Sequence, residues 1–584
     1  MIRPGGRSTA ASVLLVAWAL VLAVLLLGPA LGPGYVLSYD MVWVPDLAIR
    51  PDLLGLGSGL PRAVPSDAVV AVLDNAVPGM VLQKAVLLGV LVAGALGATR
   101  LAPASLVGRL VAVTVFEWNP YVVERLLLGH WPMLVTYAAL PWIVDAVRRW
   151  SGRSAPPARL WLLLPLASLS ISGGLAAGVL LLVLAVRWER GRLLWAAALV
   201  GCANAPWAVA GLLHVSSATT DPAGAVAFAL SAEGSVPAPV AALGLGGVWN
   251  SEVVPASHTG PAGWLWVVVV LTLAGCGARA WARRSGRREV VGLVACWVVG
   301  WTTAVLTWVW PGLVGRLAAD LPGAGALRDG ARLLVLCAPL VVALCASGAD
   351  RLWARAPGVP AARAGLVAAL VLLPLALMPD AAGGGSGRLR PARFPASYAV
   401  ARDRLLGGDG AAGDVLLLPF TAYRQPGWNH DHKVLDPLGR YLTPDYVAND
   451  ALVVGGETVA GEDPRAAALA RALDLAGPRA RARALADMGI GYVATERDAP
   501  GPLPAVAGST VVDRPDLLVT ALDRPRARRV PTGWWVAMGL AWLCFAGSLA
   551  AGALLGVRGA LRARRPARAG MRHASVGNSP KDAV

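Results

Sequence analysis

Two carboxylates stand directly after the first long apolar run and are the first residues that could do chemistry. Asp40 and Asp46 lie in the segment GYVLSYDMVWVPD, Gly34 to Asp46, which follows the run Ala10 to Leu31. Such a run can cross a hydrocarbon core, which needs roughly 20 apolar residues. An acid at this boundary is costly unless it faces water or a partner. Two alternatives stay open: solvated loop acids, or a carboxylate that accepts a proton.

A second polar cluster lies between two later apolar runs, in the segment EWNPYVVERLLLGHW from Glu117 to Trp131. On a helix that begins at Pro120, the side chains of Tyr121, Glu124 and Arg125 share one face. The simpler interpretation is a connecting loop with an Asn-Pro turn and a short helix. An amphipathic helix at the membrane surface, able to close over a lipid head group, is the alternative. Residues that could line a substrate cavity there are Glu117, Asn119, Glu124 and His130.

Two arginines precede another apolar run, in the segment GALRDGARLL from Gly325 to Leu334. Arg328 and Arg332 are four residues apart, so a helix would point both guanidinium groups in one direction at the outer surface. Guanidinium suits phosphate because its planar fork can donate two parallel hydrogen bonds. The alternative is that both side chains snorkel toward the membrane interface.

The composition defines the class of protein that must position these residues. Of 584 residues, 56% are hydrophobic and only 15% are charged, and the mean hydropathy is +0.59. These values are typical of a polytopic α-helical membrane protein. The net charge of +17 does not indicate nucleic acid, because the basic residues recur in short clusters between apolar runs instead of forming one patch with aromatics.

The basic clusters also predict the topology, since cytoplasmic loops carry the excess of Lys and Arg. Arg3 and Arg7 place the N-terminus inside and put Asp40 outside. Because no clear small-residue cleavage site precedes the loop, the first span is predicted to be a retained signal anchor. About twelve spans, with both termini cytoplasmic, then cross the plasma membrane. The run Leu160 to Val186 has arginines on both sides, which demands a hairpin broken near Ser170 to Gly174 and implies a cavity.

A long polar segment between the last two spans predicts a small extracytoplasmic α/β domain. It follows a glycine-rich linker at Ala382 to Gly387. Asp414 to Phe420 and Ile490 to Thr495 indicate buried strands, and Pro464 to Asp487 has helical spacing of Ala and Leu. The predicted organisation is a transmembrane domain at 1–378, the α/β domain at 379–531, a final helix at 532–557 and a basic cytoplasmic tail at 558–584.

No metal site is predicted. The six cysteines fall in apolar runs without CxxC spacing, which indicates neither a disulfide framework nor zinc. His430, Asp431 and His432 are adjacent, but an extended segment turns only alternate residues to one side and no third ligand is marked. A loop that contacts the membrane part or a substrate is the favoured interpretation of this stretch.

The polar segments and their placement resemble the GT-C superfamily of integral-membrane glycosyltransferases. The resemblance covers about Met1 to Met378. Within the superfamily, the chain most resembles the actinobacterial arabinofuranosyltransferase and mannosyltransferase families of the cell envelope. It rests on YDMVWVPD at Tyr39 to Asp46, WNPYVVERLLLGHW at Trp118 to Trp131, LRDGARLL at Leu327 to Leu334, the broken spans and the C-terminal outer domain.

The resemblance implies an enzyme that takes a sugar from a polyprenyl-phosphate carrier. It transfers the sugar to an envelope glycan or glycolipid on the outer face of the membrane, with an acid of the first outward loop as base. By position this role falls to Asp40, with Asp46 second. The family often has two acids adjacent or one residue apart, whereas five residues separate these two.

The expected chemistry fits these residue types. A carboxylate within hydrogen-bond reach can accept the proton of the attacking acceptor hydroxyl. The leaving phosphate needs positive charge, for which Arg328, Arg332, Arg125 or a divalent cation are candidates. The lipid carrier brings the activated sugar, so no nucleotide site is needed, and no P-loop, GxSxG or HExxH motif is present. The expected partners are the donor, the acceptor and membrane lipids.

Two other classes of function remain open at this point. A transporter or flippase of a lipid-linked precursor would also have about twelve spans and broken helices, but it would more typically show internal repeats and mid-membrane ionisable residues. A non-catalytic scaffold of envelope assembly would keep the architecture with idle acids. An Asp40 that faces a cavity together with arginines favours the enzyme, and an Asp40 that faces bulk water favours the scaffold.

Overall fold

The computed structural model describes residues 6–60, 62–150, 154–185, 190–215, 220–406 and 412–564. Arg3, which contributes to the predicted orientation, and residues 565–584 of the predicted basic tail lie outside this described part. Apolar helices dominate the described chain, and a smaller segment built around a β-sheet packs against the loops at one end of the helices.

Each apolar run predicted as a span folds as a helix. Seven of the described helices are long and apolar enough to cross a membrane, and the number is eight if the pair Gly330–Leu336 and Ala338–Arg355, bent by 48°, forms one span. The class of helical membrane protein is therefore confirmed, whereas the number of about twelve spans is not. The helices in question are Gly6–Leu27, Gly79–Ala98, Leu106–Glu117, Trp131–Trp150, Ala158–Ala167, Ile171–Ala185, Arg190–Leu213, Pro261–Arg284, Arg287–Val309, Ala338–Arg355, Pro360–Leu377 and Thr532–Arg564.

Small residues let two of the helices approach very closely. A Cβ atom added at Gly277 would lie 2.1 Å from the carbonyl oxygen of Leu344, and one added at Gly348 would lie 2.0 Å from that of Leu273. Only glycine fits such a backbone contact. Close packing through small residues is the usual way in which apolar helices associate where lipid removes the hydrophobic driving force.

The run that is predicted to form a broken hairpin is indeed interrupted. One helix ends at Ala167 and the next begins at Ile171, with Ser168 fully buried between them. The hydroxyl of Thr136 donates to the carbonyl of Ala167 at 2.8 Å, and the hydroxyl of Ser170 accepts from the backbone of Gly173 at 3.2 Å. Side chains thus satisfy the freed backbone groups, so protein shields this break where the sequence suggested a cavity.

The polar segment contains a five-stranded sheet with strand order 509–513, 517–521, 490–496, 414–418 and 446–447. The two predicted strands, observed as Asp414–Leu418 and Ile490–Glu496, are parallel neighbours at its centre. The predicted helical stretch forms two helices, Pro464–Leu473 and Pro478–Asp487, because Gly477 has a φ of +88° and Pro478 begins a new helix. The predicted glycine-rich linker is a packed turn in which Gly384 is buried.

Smaller elements complete this segment and the first loop. A helix Ala396–Leu406 packs on the sheet edge, and the short strands Tyr423–Arg424 and Val434–Leu435 pair as a hairpin. A second hairpin joins Leu452–Val454 to Glu457–Val459, and a helix Ser66–Asp74 lies in the first loop.

Buried ion pairs attach the polar segment to the loop that follows the first helix. The guanidinium of Arg50, which is buried, donates to the carbonyls of Gly439 and Leu442 at 3.0 Å each. Arg440 forms an ion pair with Asp67 at 2.8 Å. The first loop is therefore covered by the polar segment, and the two share one interface.

Candidate active site

Three chain segments meet at Asp40. The backbone N–H of Tyr39 donates to the carbonyl of Lys433 at 2.8 Å, and the N–H of Leu435 donates to the carbonyl of Tyr39 at 2.8 Å. The N–H of Asp40 donates to the carbonyl of Leu128 at 3.1 Å. The first loop, the end of the helix Pro120–Leu127 and the hairpin of the polar segment thus fix the position of this carboxylate.

Each carboxylate oxygen of Asp40 accepts a hydrogen bond from a different segment. Oδ2 lies 3.1 Å from Nε2 of His130, and Oδ1 lies 2.5 Å from the hydroxyl of Tyr423. The Asp40 side chain remains 43% exposed, so its remaining lone pairs are open to a ligand. A carboxylate held by two donors and open on one side has the geometry that a general base requires.

The neighbouring contact determines the tautomer of His130. Nδ1 of His130 lies 3.1 Å from Nη1 of Arg125, and an arginine side chain can only donate hydrogen bonds. Nδ1 is therefore the acceptor, and Nε2 carries the proton that it donates to Asp40. Burial, and then the positive charge of Arg332, hold the pKa of His130 below its usual value, which keeps the ring neutral at neutral pH.

A chain of alternating charges continues from His130 toward the opening. Arg125 lies 3.5 Å from Oδ2 of Asp329, and Nε of Arg332 donates to the same oxygen at 2.8 Å. Arg125 is 1% exposed, whereas Arg332 is 35% exposed. Among the described residues, neither Nη atom of Arg332 has a hydrogen-bond partner, so these two groups are the donors available to an incoming anion.

The same charges keep Asp40 ionised. Loss of water on the side of Asp40 that faces the protein would raise the pKa of Asp40, but the hydrogen bond from His130, the hydrogen bond from Tyr423 and the charge of Arg332 together hold that pKa well below its usual range. The carboxylate is therefore ionised at neutral pH.

Asp46, the other predicted acid, lies in a different environment. Its side chain is 82% exposed and its carboxylate is 4.0 Å from Arg402. Arg402 also donates to the backbone carbonyls of Pro45 and Asp46 at 2.6 and 2.7 Å. Within the described chain no contact joins Asp46 to Asp40, so the structure does not bring the two acids together.

The two arginines predicted to point together do not do so. Arg328 pairs with Glu462 at 2.7 Å and lies 5.1 Å from the centre of the Phe228 ring, whereas Arg332 binds Asp329. The reason is local: this stretch forms the 3₁₀ helices Ala324–Leu327 and Gly330–Leu336 instead of one α-helix. At three residues per turn, and across a break, positions four apart lie on different faces.

The residues expected to line a cavity are mostly interior. Asn119 caps its helix by accepting from the N–H of Val122 at 3.1 Å, and it is fully buried. Glu117 and Glu124 are also buried. Of the four predicted cavity residues, His130 is the one that contacts Asp40. The Asn-Pro turn and the short helix of the simpler interpretation are present as Pro120–Leu127, and this helix is buried at every position, unlike the surface helix of the alternative.

Two residues of the cluster escaped the sequence analysis. Asp329 lies between Arg328 and Arg332, and Tyr423 lies seven residues before His430, which belongs to the stretch expected to contact the membrane part or a substrate. That contact with the membrane part is observed: the side-chain amide of Asn429 donates to the carbonyl of Leu37 at 3.2 Å. Over the described ranges, no three His, Cys, Asp or Glu side chains are grouped to hold a metal ion.

The fold and the site together define a class: a helical membrane protein with an exposed carboxylate and an available arginine at the loops beyond its first helix. The chain matches no protein-family model and no curated protein. Its fold is similar to the cryo-EM structure of the arabinofuranosyltransferase AftD from mycobacteria, with a TM-score of 0.51, 17% identity, and coverage of 87% of this chain and 39% of that one.

A second cryo-EM structure, of a mutant of the same mycobacterial enzyme, is similar to the same degree. Its TM-score is 0.51 at 19% identity, with coverage of 87% of this chain and 41% of that chain. The present chain thus spans about two fifths of the length of the structures it resembles. The chain therefore shares its fold with these two arabinofuranosyltransferase structures.

Proposed function

We propose that this protein is a membrane glycosyltransferase that moves a sugar from a polyprenyl-phosphate carrier to a cell-envelope glycan or glycolipid on the outer face of the membrane. The observation that carries the proposal is the pairing of an exposed, ionised carboxylate, Asp40, with an arginine, Arg332, whose Nη atoms are free to bind an anion. The fold shared with AftD supports the same class of reaction.

The reaction follows from the placement of these groups. An acceptor hydroxyl attacks the anomeric carbon while Asp40 takes its proton, and the bond between that carbon and the phosphate oxygen breaks. The polyprenyl phosphate leaves with the electron pair of that bond, and the guanidinium of Arg332 stabilises its negative charge. His130 holds the carboxylate, while Asp329 and Arg125 hold Arg332 in place.

The other predicted phosphate ligands have secondary places in this scheme. Arg125 is too deeply buried to touch a donor and acts through Asp329 and His130. Arg328 would have to exchange its ion pair with Glu462 for a phosphate oxygen. A divalent cation stays a prediction, and the exposed carboxylate of Asp40 is the group that could bind it.

Access for a lipid carrier is supported by the segment that leads to Arg332. The helix Pro311–Asp320 exposes Leu313 and Leu317, and Leu321 follows them on the surface. Trp308 and Trp310, at the end of the preceding apolar helix, are exposed as well. Tryptophan and leucine exposed at the end of a span suit the boundary between lipid tails and head groups. A polyprenyl tail could lie there with its phosphate near Arg332.

The test is sugar transfer by the purified protein in lipid nanodiscs, with labelled decaprenyl-phosphate arabinose or decaprenyl-phosphate mannose as donor. We expect transfer by wild type and a loss of about 10²-fold or more in Asp40→Asn, the range that a general base contributes. Asp513→Asn is the matched control, because Asp513 is 64% exposed and pairs with Arg497 on the sheet edge. It should keep wild-type transfer.

The other predicted acid decides between two versions of the proposal. Asp46→Asn should retain transfer, since Asp46 lies apart from His130 and Arg332. Loss of transfer in Asp46→Asn with transfer retained in Asp40→Asn would reassign the base to Asp46. Absence of transfer by wild type with either donor and a panel of envelope acceptors would reject the glycosyltransferase and favour the transporter or scaffold.

A further inference from the structure

The hydroxyl of Tyr423 binds the proposed base from a distant part of the chain. It lies 2.5 Å from Oδ1 of Asp40, and 383 positions of sequence separate the two residues. Tyr423 belongs to the polar segment 379–531, which the sequence suggests is a separate domain. One of the two hydrogen bonds that hold Asp40 therefore comes from outside the helical part.

The backbone beside Tyr423 is anchored unusually well. Arg424 is nearly fully buried, with its Nε 2.7 Å from Glu496 and its Nη2 2.7 Å from Asp436. The same guanidinium donates to the carbonyl of Pro419 at 2.7 Å. Hydrogen bonds to charged groups are the strong ones, and several on one rigid guanidinium fix the strand that carries Tyr423.

The loop that carries Asp40 is attached to the same strand pair. Tyr39 exchanges two backbone hydrogen bonds with Lys433 and Leu435, and Val434 pairs with Arg424 in the hairpin. The rings of Tyr39 and Tyr423 also meet edge to face, with centroids 6.2 Å apart. Both ends of the contact between Tyr423 and Asp40 are thus held by fixed backbone, so the hydroxyl has little freedom to move away.

We propose that Tyr423 is a positioning residue for the Asp40 carboxylate, and that the polar segment 379–531 is therefore part of the catalytic unit. The inference rests on the proposed function. A carboxylate held at one oxygen can turn about its Cβ–Cγ bond, whereas one held at both oxygens, by His130 and Tyr423, cannot. The fixed plane directs the remaining lone pairs toward the opening, where the acceptor hydroxyl must place its proton.

The kinetic test compares two Tyr→Phe variants of the full chain in nanodiscs. Tyr423→Phe should lower kcat about 10-fold and leave the KM for donor and acceptor within about two-fold, because the lost hydroxyl orients the base without binding substrate. Tyr441→Phe is the control: its ring packs 5.0 Å from Phe394 in the same segment, and its hydroxyl has no hydrogen bond to a described residue. It should match wild type.

A structural readout separates positioning from simple loss of docking. Hydrogen–deuterium exchange of peptides that cover residues 35–46 and 430–437 reports the backbone bonds of Tyr39. Exchange in Tyr423→Phe should equal wild type. Faster exchange together with lost transfer would mean that the variant undocks the segment, and it would overturn the positioning role. Unchanged kcat, or an increase in KM without a fall in kcat, would overturn it as well.

The contact itself can be tested even if wild type shows no transfer. A double-mutant cycle in mixed SDS micelles compares the unfolding of Asp40→Asn, Tyr423→Phe and the variant that carries both substitutions. Because the hydroxyl of Tyr423 lies 2.5 Å from Oδ1 of Asp40, the effects of the two substitutions should be non-additive, with the double variant less destabilised than the sum of the single variants. Additive effects would refute the contact, independently of any failure of the proposed function.

Discussion

Asp329 should be the most sensitive carboxylate of the site for stability. It is the counter-charge of two arginines, and its Oδ2 receives both. The substitution Asp329→Asn removes the charge but keeps the size and one acceptor oxygen. Its cost depends on what each arginine can do afterwards. Arg332 is 35% exposed and can turn to water, whereas Arg125 is 1% exposed and cannot.

The magnitude follows from Arg125 alone. Leaving a buried charge without its partner costs about 3–5 kcal/mol. The separation of 3.5 Å is long for an ion pair, Nδ1 of His130 accepts from the same Nη1, and the Tyr121 ring lies 5.3 Å from the guanidinium. His130 and Tyr121 remain beside Arg125 in the variant. We therefore expect Asp329→Asn to lose about 3 kcal/mol of stability, the lower end of that range.

The assay is unfolding in mixed SDS micelles, followed by tryptophan fluorescence. Asp513→Asn removes an exposed carboxylate from the sheet edge, and its effect should be below about 1 kcal/mol, as for surface pairs. Surface substitutions usually change stability by no more than about 0.5 kcal/mol. The counter-charge role would be refuted if the free energies of unfolding of Asp329→Asn and Asp513→Asn differed by no more than this amount. In the transfer assay the same variant should raise the KM for donor, because Arg332 loses its fixed orientation.

Two further predictions concern protons. His130→Gln should lower kcat about 10-fold with little change in KM, since an amide cannot match both the contact to Asp40 and the contact to Arg125; kinetics equal to wild type would exclude an orienting role. Burial and the neighbouring Asp436 raise the pKa of Glu496 to about 7. The folded state therefore binds this proton more tightly than the unfolded state does, and stability should fall as pH rises from about 4.3 to neutrality. The variant Glu496→Gln should therefore show a smaller difference between the free energies of unfolding at pH 5 and pH 7 than wild type. An equal difference in the two proteins would contradict the prediction.

Local patterns made much of the fold predictable from the sequence. The first apolar run, Ala10 to Leu31, agrees within one residue with the apolar helical stretch Thr9–Leu31, and both central strands of the sheet were placed within two residues. Long apolar runs and short β-branched or leucine-rich runs have one satisfactory structure each. The number of spans was less predictable, because a helix such as Leu106–Glu117 has 12 residues, about 18 Å, and length alone does not show whether it crosses.

The site was predictable only in part because its contacts join distant segments. Asp40 could be singled out as a candidate because an acid directly after a membrane-spanning run is costly unless it faces water or a partner. The role of Arg328 was not, since its partner Glu462 lies 134 positions away and the local helix is 3₁₀. Tyr423 carries no sequence signal of its own, and only the folded hairpin shows that its hydroxyl reaches Asp40.

In the proposed reaction, the charge balance of the cluster suits a donor with a single phosphate. Asp40 and Asp329 supply two negative charges, Arg125 and Arg332 supply two positive charges, and His130 is neutral. The resting cluster is therefore neutral, and its available hydrogen-bond donors are the Nη groups of Arg332. A phosphodiester monoanion adds one negative charge beside those donors, and bond cleavage increases the charge on the same phosphate. The attraction to Arg332 grows as the reaction proceeds, and an interaction that strengthens toward the transition state is the kind that raises kcat.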